Sequence, residues 1–131
     1  MKTVLWQRMG LVFLLVGLYN CASDKENLLL GRWNATQLTE NGNSIEMELE
    51  EVWFTFDEQG HYQFHSTLNY REAGFYKQNN NLLYTTDTLI EDRNRQAVKI
   101  LKLDEAHLEL GMEDRGKKRV LSLMKANKSE E

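Results

Sequence analysis

Apolar residues follow two different patterns along the chain. From Met9 to Tyr19 they are continuous, eleven residues without a charge. From about residue 28 onward they come in short β-favouring runs broken by turn formers. The first run, Leu30 to Leu38, ends at Asn41-Gly42-Asn43. In the next, Ile45, Met47 and Leu49 alternate with Glu46, Glu48 and Glu50, the period-two signature of a strand with one wet face. The frame slips at Glu50-Glu51 and resumes as Val52, Phe54 and Phe56, which predicts a β-bulge there. Ile45 to Phe54 can also open as a helical turn. After the turn Asp57-Glu-Gln-Gly60, the run His61 to His65 places Tyr62 and Phe64 on one face. Runs 72–77 and 81–86 flank Asn79-Asn80, a predicted tight hairpin because Asn tolerates positive φ. A charged loop around residues 91–94 follows. A closing meander runs over 96–103, 107–113 and 117–124, with turns at Asp104-Glu105 and Arg115-Gly116.

This makes about eight strands at regular spacing with hairpin-length connections, the pattern of an all-β, small antiparallel up-and-down β-barrel. The expected organisation is a signal peptide over 1–20, a cysteine and polar tether over 21–27, the barrel over 28–124 and a flexible tail over 125–131. No proline occurs anywhere in the chain, so a Pro-rich linker between two domains is absent.

The continuous apolar run has its own meaning. It follows Lys2 and Arg8 and is shorter than the roughly 20 residues a spanning helix needs. A basic start, a short apolar middle and a small-residue exit are the parts of a secretory signal. Leu18-Tyr19-Asn20-Cys21 resembles the lipobox of bacterial lipoproteins, in which the cysteine receives a diacylglycerol and becomes the first mature residue. Leu18 and Cys21 match; Tyr19 and Asn20 are larger than the usual small residues. Cleavage after Ser23 is the rival route and gives a soluble periplasmic protein. A lone cysteine at this position favours lipidation of Cys21, and with it an outer-membrane protein held by its lipid anchor, on the periplasmic side or at the cell surface. The polar tether after Cys21, Ala-Ser-Asp-Lys-Glu-Asn, is either a spacer or a sorting signal for surface display.

Charge and cysteine count narrow the partners. The chain has 16 basic and 20 acidic side chains; without Lys2 and Arg8 the mature part has 14 against 20, a net of −6. An acidic body repels phosphate backbones, so no nucleic acid is expected as partner. With Cys21 alone, no intrachain disulfide and no thiolate zinc site can form.

Several local motifs carry a further resemblance. Gly31-Arg32-Trp33 is similar to the G-x-W signature of the lipocalin-like superfamily. Phe54-Thr-Phe-Asp-Glu-Gln-Gly-His-Tyr62 resembles the F-x-F-x-x-x-G-x-Y hairpin of bacterial lipocalin-like lipoproteins. Gly74-Phe75-Tyr76 resembles their G-x-[WY] strand, with an N-x-L start at Asn81, and Leu103 to Leu110 resembles their closing hairpin. Together these cover about residues 28–124. The resemblance implies a small antiparallel barrel with Trp33 packing across one end; it implies no particular ligand.

Chemistry-bearing residues are sparse. His61 and His65 share a strand face about 13 Å apart, too far for one ion, and His107 stands alone. The acidic residues 46–58 lack the loop spacing of a calcium motif. No serine sits in a nucleophile elbow, and no phosphate loop or dinucleotide fingerprint occurs. No catalytic site, metal site or cofactor is therefore expected, and the chain is not read as an enzyme. Asn34-Ala-Thr36 and Asn127-Lys-Ser129 match a glycosylation sequon by chance composition, and Asp87-Thr88-Leu89 resembles a bacterial O-glycosylation acceptor.

The aromatics are the informative set. They either fill the barrel or line a pocket for an apolar ligand with polar phenol handles. The candidate lining residues are Trp33, Phe54, Phe56, Tyr62, Phe64, Tyr76 and Tyr84. Trp53, out of phase with Phe54 and Phe56, is expected on the outside. Two functions follow: a module binding a small apolar ligand or a partner protein at the envelope, or a structural or inhibitory lipoprotein with a filled barrel acting through its outer surface. A continuous cavity of about 300 Å³ or more separates the first from the second.

Overall fold

Strand pairing closes the chain on itself. The structure, a computed structural model, describes residues 28–130; residues 1–27, with the expected signal peptide, Cys21 and the expected tether, lie outside the described residues. Strand β1 spans Gly31–Glu40, β2 Asn43–Ser44, β3 Trp53–Phe56, β4 His61–His65, β5 Arg71–Asn79, β6 Leu82–Asp87, β7 Arg95–Leu103, β8 His107–Asp114 and β9 Lys117–Lys125. Each of β3 to β9 pairs antiparallel with its sequence neighbour. β1 pairs with β3 on one side and β9 on the other, while β2 extends β1 as a short hairpin. Eight strands, β1 and β3 to β9, therefore form a closed antiparallel barrel. Closure satisfies the edges that an open sheet of this size would expose.

Turn chemistry follows the residues that tolerate positive φ. Asn41-Gly42 and Arg115-Gly116 both hold two successive residues there. The β5–β6 hairpin turns at Asn80-Asn81, with Asn80 at φ 54, one residue beyond the expected pair Asn79-Asn80. Gly74 has a packing reason: a Cβ there would lie 1.9 Å from the Thr86 carbonyl oxygen, so only glycine allows β6 to approach.

Residues 45–49 differ from the expectation of a bulged strand. Residues 45–48 are not in a strand, and Leu49–Glu51 form a single 3-10 turn before β3 starts at Trp53. The register irregularities fall instead between Ala35 and Gln37 in β1 and between Ile100 and Lys102 in β7. The segment bridges two pairings of β1 without joining either. β3 occupies β1 only as far as Asn34, and residues 39–40 are taken by β2 and β9. The segment instead lays Leu49 and the buried Val52 against the core. Alternation fixes which side chains face inward but does not by itself form a ladder.

The barrel has two unlike ends. The β3–β4, β5–β6 and β7–β8 turns gather at the end where β1 begins. There Trp33, Leu29, Phe56, Leu108 and Leu123 form a sealed core. The Trp33 indole N–H donates to the Leu29 carbonyl at 2.8 Å, and the Lys125 ammonium sits 4.7 Å from its ring centroid. The Lys125 ammonium also donates to the Leu30 carbonyl. The strand continues through Lys125, the N–H of buried Ala126 donates to the Arg32 carbonyl, and Lys128–Glu130 form a single 3-10 turn, so residues 125 and 126, expected in a tail, belong to the barrel. At the other end lie the β1–β2 and β8–β9 hairpins and the longer β4–β5 and β6–β7 loops.

Candidate functional site

The interior is filled at the first end and hollow at the second. A cavity of about 450 Å³ opens between the β4–β5 and β6–β7 loops. Alternation along the strands decides its wall: side chains two apart share a face. Phe54 of β3 and Phe64 of β4 are directly opposed across the ladder, with ring centroids 4.4 Å apart. Leu83 on β6, Val98 on β7, Leu110 on β8 and Leu121 on β9 complete an apolar floor.

Polar groups occupy one side and the mouth. Glu72 lies opposite Phe64 and accepts the hydroxyls of Tyr62, at 3.1 Å, and Tyr70, at 3.0 Å, one on each carboxylate oxygen. Burial, reinforced by the Glu72 charge, holds both phenols above their ordinary value, so each keeps its proton and donates. On the next strand, Asp87 is only 8 % exposed, and its Oδ1 accepts the backbone N–H groups of Ala73 and Leu89. Thr85 adds a hydroxyl to the wall, and Asp92, Asn94 and Gln96 line it from the β6–β7 loop and the start of β7.

Of the aromatic residues singled out in the sequence, Phe54, Tyr62 and Phe64 line this cavity. Phe56 and Tyr76 also point inward but pack on each other toward the sealed end, 5.0 Å apart and edge to face, with the Tyr76 hydroxyl on the Asp57 carbonyl. Trp33 is sealed in the closed end. Tyr84 is a correction. Leu83 and Thr85 take the inward positions of β6, which turns Tyr84 outward, where the Arg95 guanidinium stacks on its ring at 4.4 Å. Aromatic character favoured Tyr84 for the interior, yet the Leu83-x-Thr85-x-Asp87 alternation governs. Sequence reasoning missed Tyr70, Glu72, Thr85 and Asp87; that alternation was the available signal for the last two. The Glu72-x-Gly74-x-Tyr76 alternation was the same signal for Glu72, overridden because a carboxylate reads as surface; Tyr70, in a loop, gave none.

Other candidates resolve into surface arrangements. Trp53 is half-buried on the outer face, between the Arg32 guanidinium and a parallel His65 ring 5.4 Å away. His61 faces Asp57 at 3.6 Å and His107 faces Asp104 at 3.1 Å. Among the described residues no cluster of three or more His, Cys, Asp or Glu could hold a metal ion. Asp87-Thr88-Leu89, the acceptor-like triplet, is tied into the fold: the Thr88 hydroxyl bonds to the Ala73 carbonyl. A second depression, about 480 Å³, lies on the outer surface beside Leu82, Leu101 and Val120, with Lys99 and Lys118 at its sides.

No family model matches the chain, and no curated protein matches it. Solved structures do. A lipocalin-like protein from Bacteroides uniformis superposes with a TM-score of 0.58 at 19% identity, over 76% of this chain and 99% of that one. An uncharacterized protein from Bacteroides eggerthii gives 0.52 at 13% identity, over 75% of this chain and 99% of its own. The chain therefore has a lipocalin-like fold, an all-β closed barrel of eight antiparallel strands.

Proposed function

We propose that this protein binds a small, largely apolar molecule in the open end of its barrel, and does so as a lipoprotein held at the bacterial outer membrane through Cys21. The observation that carries the first half is the cavity of about 450 Å³ with its floor of Phe54, Phe64, Leu83 and Leu110. Its volume lies within the range of small-molecule sites, and a few polar groups at one side of an apolar wall are what such sites use to orient a ligand. Apolar loop tips at the same end, Leu68 at 95% exposed and Leu89 and Ile90 each above half, give an apolar ligand a first contact. This favours the hollow barrel over a filled one acting only through its outer surface.

Anchoring is consistent with the placement of the ends. The described chain starts at Leu28 beside the sealed end, seven residues after Cys21. Seven residues span at most about 25 Å, so a lipid on Cys21 tethers the barrel by its closed end and turns the mouth away from the membrane. Two or three acyl chains at about 0.8 kcal/mol per buried methylene hold a domain firmly.

Native mass spectrometry of the full chain purified from its own host tests the binding half. A co-purified small molecule that is absent from a Leu110→Trp variant is the expected result; a ligand-free wild type that takes up no apolar probe overturns it. Cys21→Ser tests the anchor. The variant should leave the membrane fraction and lose its acyl mass, and unchanged processing and fractionation would refute lipidation.

A further inference from the structure

We infer that the ligand of this cavity is a cationic amphiphile, an apolar chain or ring carrying an amine-type head that donates hydrogen bonds to Asp87 and Glu72. The inference rests on the reading of the cavity as a ligand site and adds the charge of what enters it.

The walls carry one sign of charge. Glu72, Asp87 and Asp92 all line the cavity, and no Lys, Arg or His does. None of these three acids takes part in an ion pair among the described residues. Arg95, the cation that opens β7 nearby, is spent on the outer face against Tyr84. Asp87 is the decisive group. More than nine-tenths of it is buried, yet both of its hydrogen bonds fall on Oδ1 and neither on Oδ2. Its Oδ2 is not sealed in the core but keeps access to solvent. A carboxylate withdrawn this far from bulk water without a counter-charge is costly, and native proteins normally supply the partner. Here the protein supplies backbone N–H groups to one oxygen and leaves the other to the cavity.

Glu72 extends the same surface. Its two oxygens are held by the Tyr62 and Tyr70 hydroxyls, which fix the carboxylate against the wall rather than neutralise it. A carboxylate oxygen has lone pairs for more than one donor, so it remains available to an ammonium group. An anionic head, such as that of a fatty acid, would meet three carboxylates and no cation. Phe54, Phe64, Leu110 and Leu121 supply the apolar part of the wall and suit the hydrocarbon part. A charged head in this partly dry setting is attracted more strongly than at a water-exposed surface.

The test compares three probes of equal chain length by calorimetry on the full chain at pH 7: octylammonium, 1-octanol and octanoate. Octylammonium should bind about tenfold or more tighter than octanol, the scale of a charge-assisted hydrogen bond, with octanoate weakest. Asp87→Asn keeps an oxygen for Ala73 and Leu89, and should bring the octylammonium-to-octanol affinity ratio close to one. Glu72→Gln should reduce that ratio by at least about threefold, and it serves as the second variant if Asp87→Asn fails to fold. Octanoate binding as tightly as octylammonium overturns the inference, as does a folded Asp87→Asn or Glu72→Gln variant with the wild-type ratio. If octanol and octanoate bind as well as octylammonium, the cavity reading stands and the charge inference falls. If none of the three binds, both fall.

Discussion

Leu108 and Leu110 lie two residues apart on the same face of β8, and they live in different environments. Both are fully buried, Leu108 in the sealed end with Trp33, Phe56 and Leu123, and Leu110 where the core meets the cavity. The closed end is packed mainly with apolar side chains, and its few polar groups, the Trp33 indole N–H, the Tyr76 hydroxyl and the Lys125 ammonium, donate to backbone carbonyls. The open end has empty volume, two phenols sharing one carboxylate and a buried aspartate. Voids and buried carboxylates both reduce stability. The difference teaches that the barrel concentrates its packing at one end, which allows the other to remain hollow and polar-sided.

The sharpest way to break this comparison is at the plug. Trp33→Ala should cost about 3–5 kcal/mol, read as a large fall in the denaturation midpoint. A loss under about 1 kcal/mol would mean the closed end is not the stabilising half. The next test applies one substitution to both ends. Leu108→Phe should cost about 1–3 kcal/mol by overpacking, while Leu110→Phe has cavity space to enter and should cost less than about 1.5 kcal/mol. Only the second should weaken an apolar probe. Equal costs would show that the two ends are packed alike.

A pH series tests the phenols. Tyr62 and Tyr70 hold their protons above the ordinary phenol value in the folded state. The unfolded chain releases those protons near pH 10, so the stabilisation is complete below that pH and is lost as pH rises through the folded values. The unfolding free energy should therefore fall above pH 10, less steeply in Tyr62→Phe. Removing that hydroxyl should cost about 0.5–1.5 kcal/mol at pH 7. The smallest effect belongs to Tyr84. Because it faces outward, Tyr84→Ala should lose only about 0.5–1 kcal/mol with the Arg95 contact, and leave probe affinity unchanged. A clear drop in affinity would return Tyr84 to the cavity.

Much of the fold was legible because strands announce themselves by local means. The β7–β8–β9 meander, the Arg115-Gly116 turn and the shared face of Tyr62 and Phe64 follow from period-two alternation and turn chemistry, which depend on neighbours in sequence. Ile45 to Leu49 alternates equally well and yet lies outside any strand: it passes beside β1 between the β2 and β3 pairings without forming a ladder, held there by the Ile45 N–H on the Leu38 carbonyl. The site divides in the same way. Phe54, Tyr62 and Phe64 line the cavity as aromatics on an inward face, whereas Tyr84 shows that aromatic character alone does not choose the face.

By itself the sequence determined the strand count, the turns, the acidic balance and the solitary cysteine after an apolar run, all properties of residues and their immediate neighbours. The tertiary structure decided which end of the barrel is solid. It also brought Glu72 beside Tyr62 and Tyr70, and set Asp87 into the cavity wall with one oxygen unused. The Tyr62–Glu72 and Ala73–Asp87 contacts join neighbouring strands across ten and fourteen residues of chain. A carboxylate looks solvent-facing in sequence, and only closure of the barrel removes it from water.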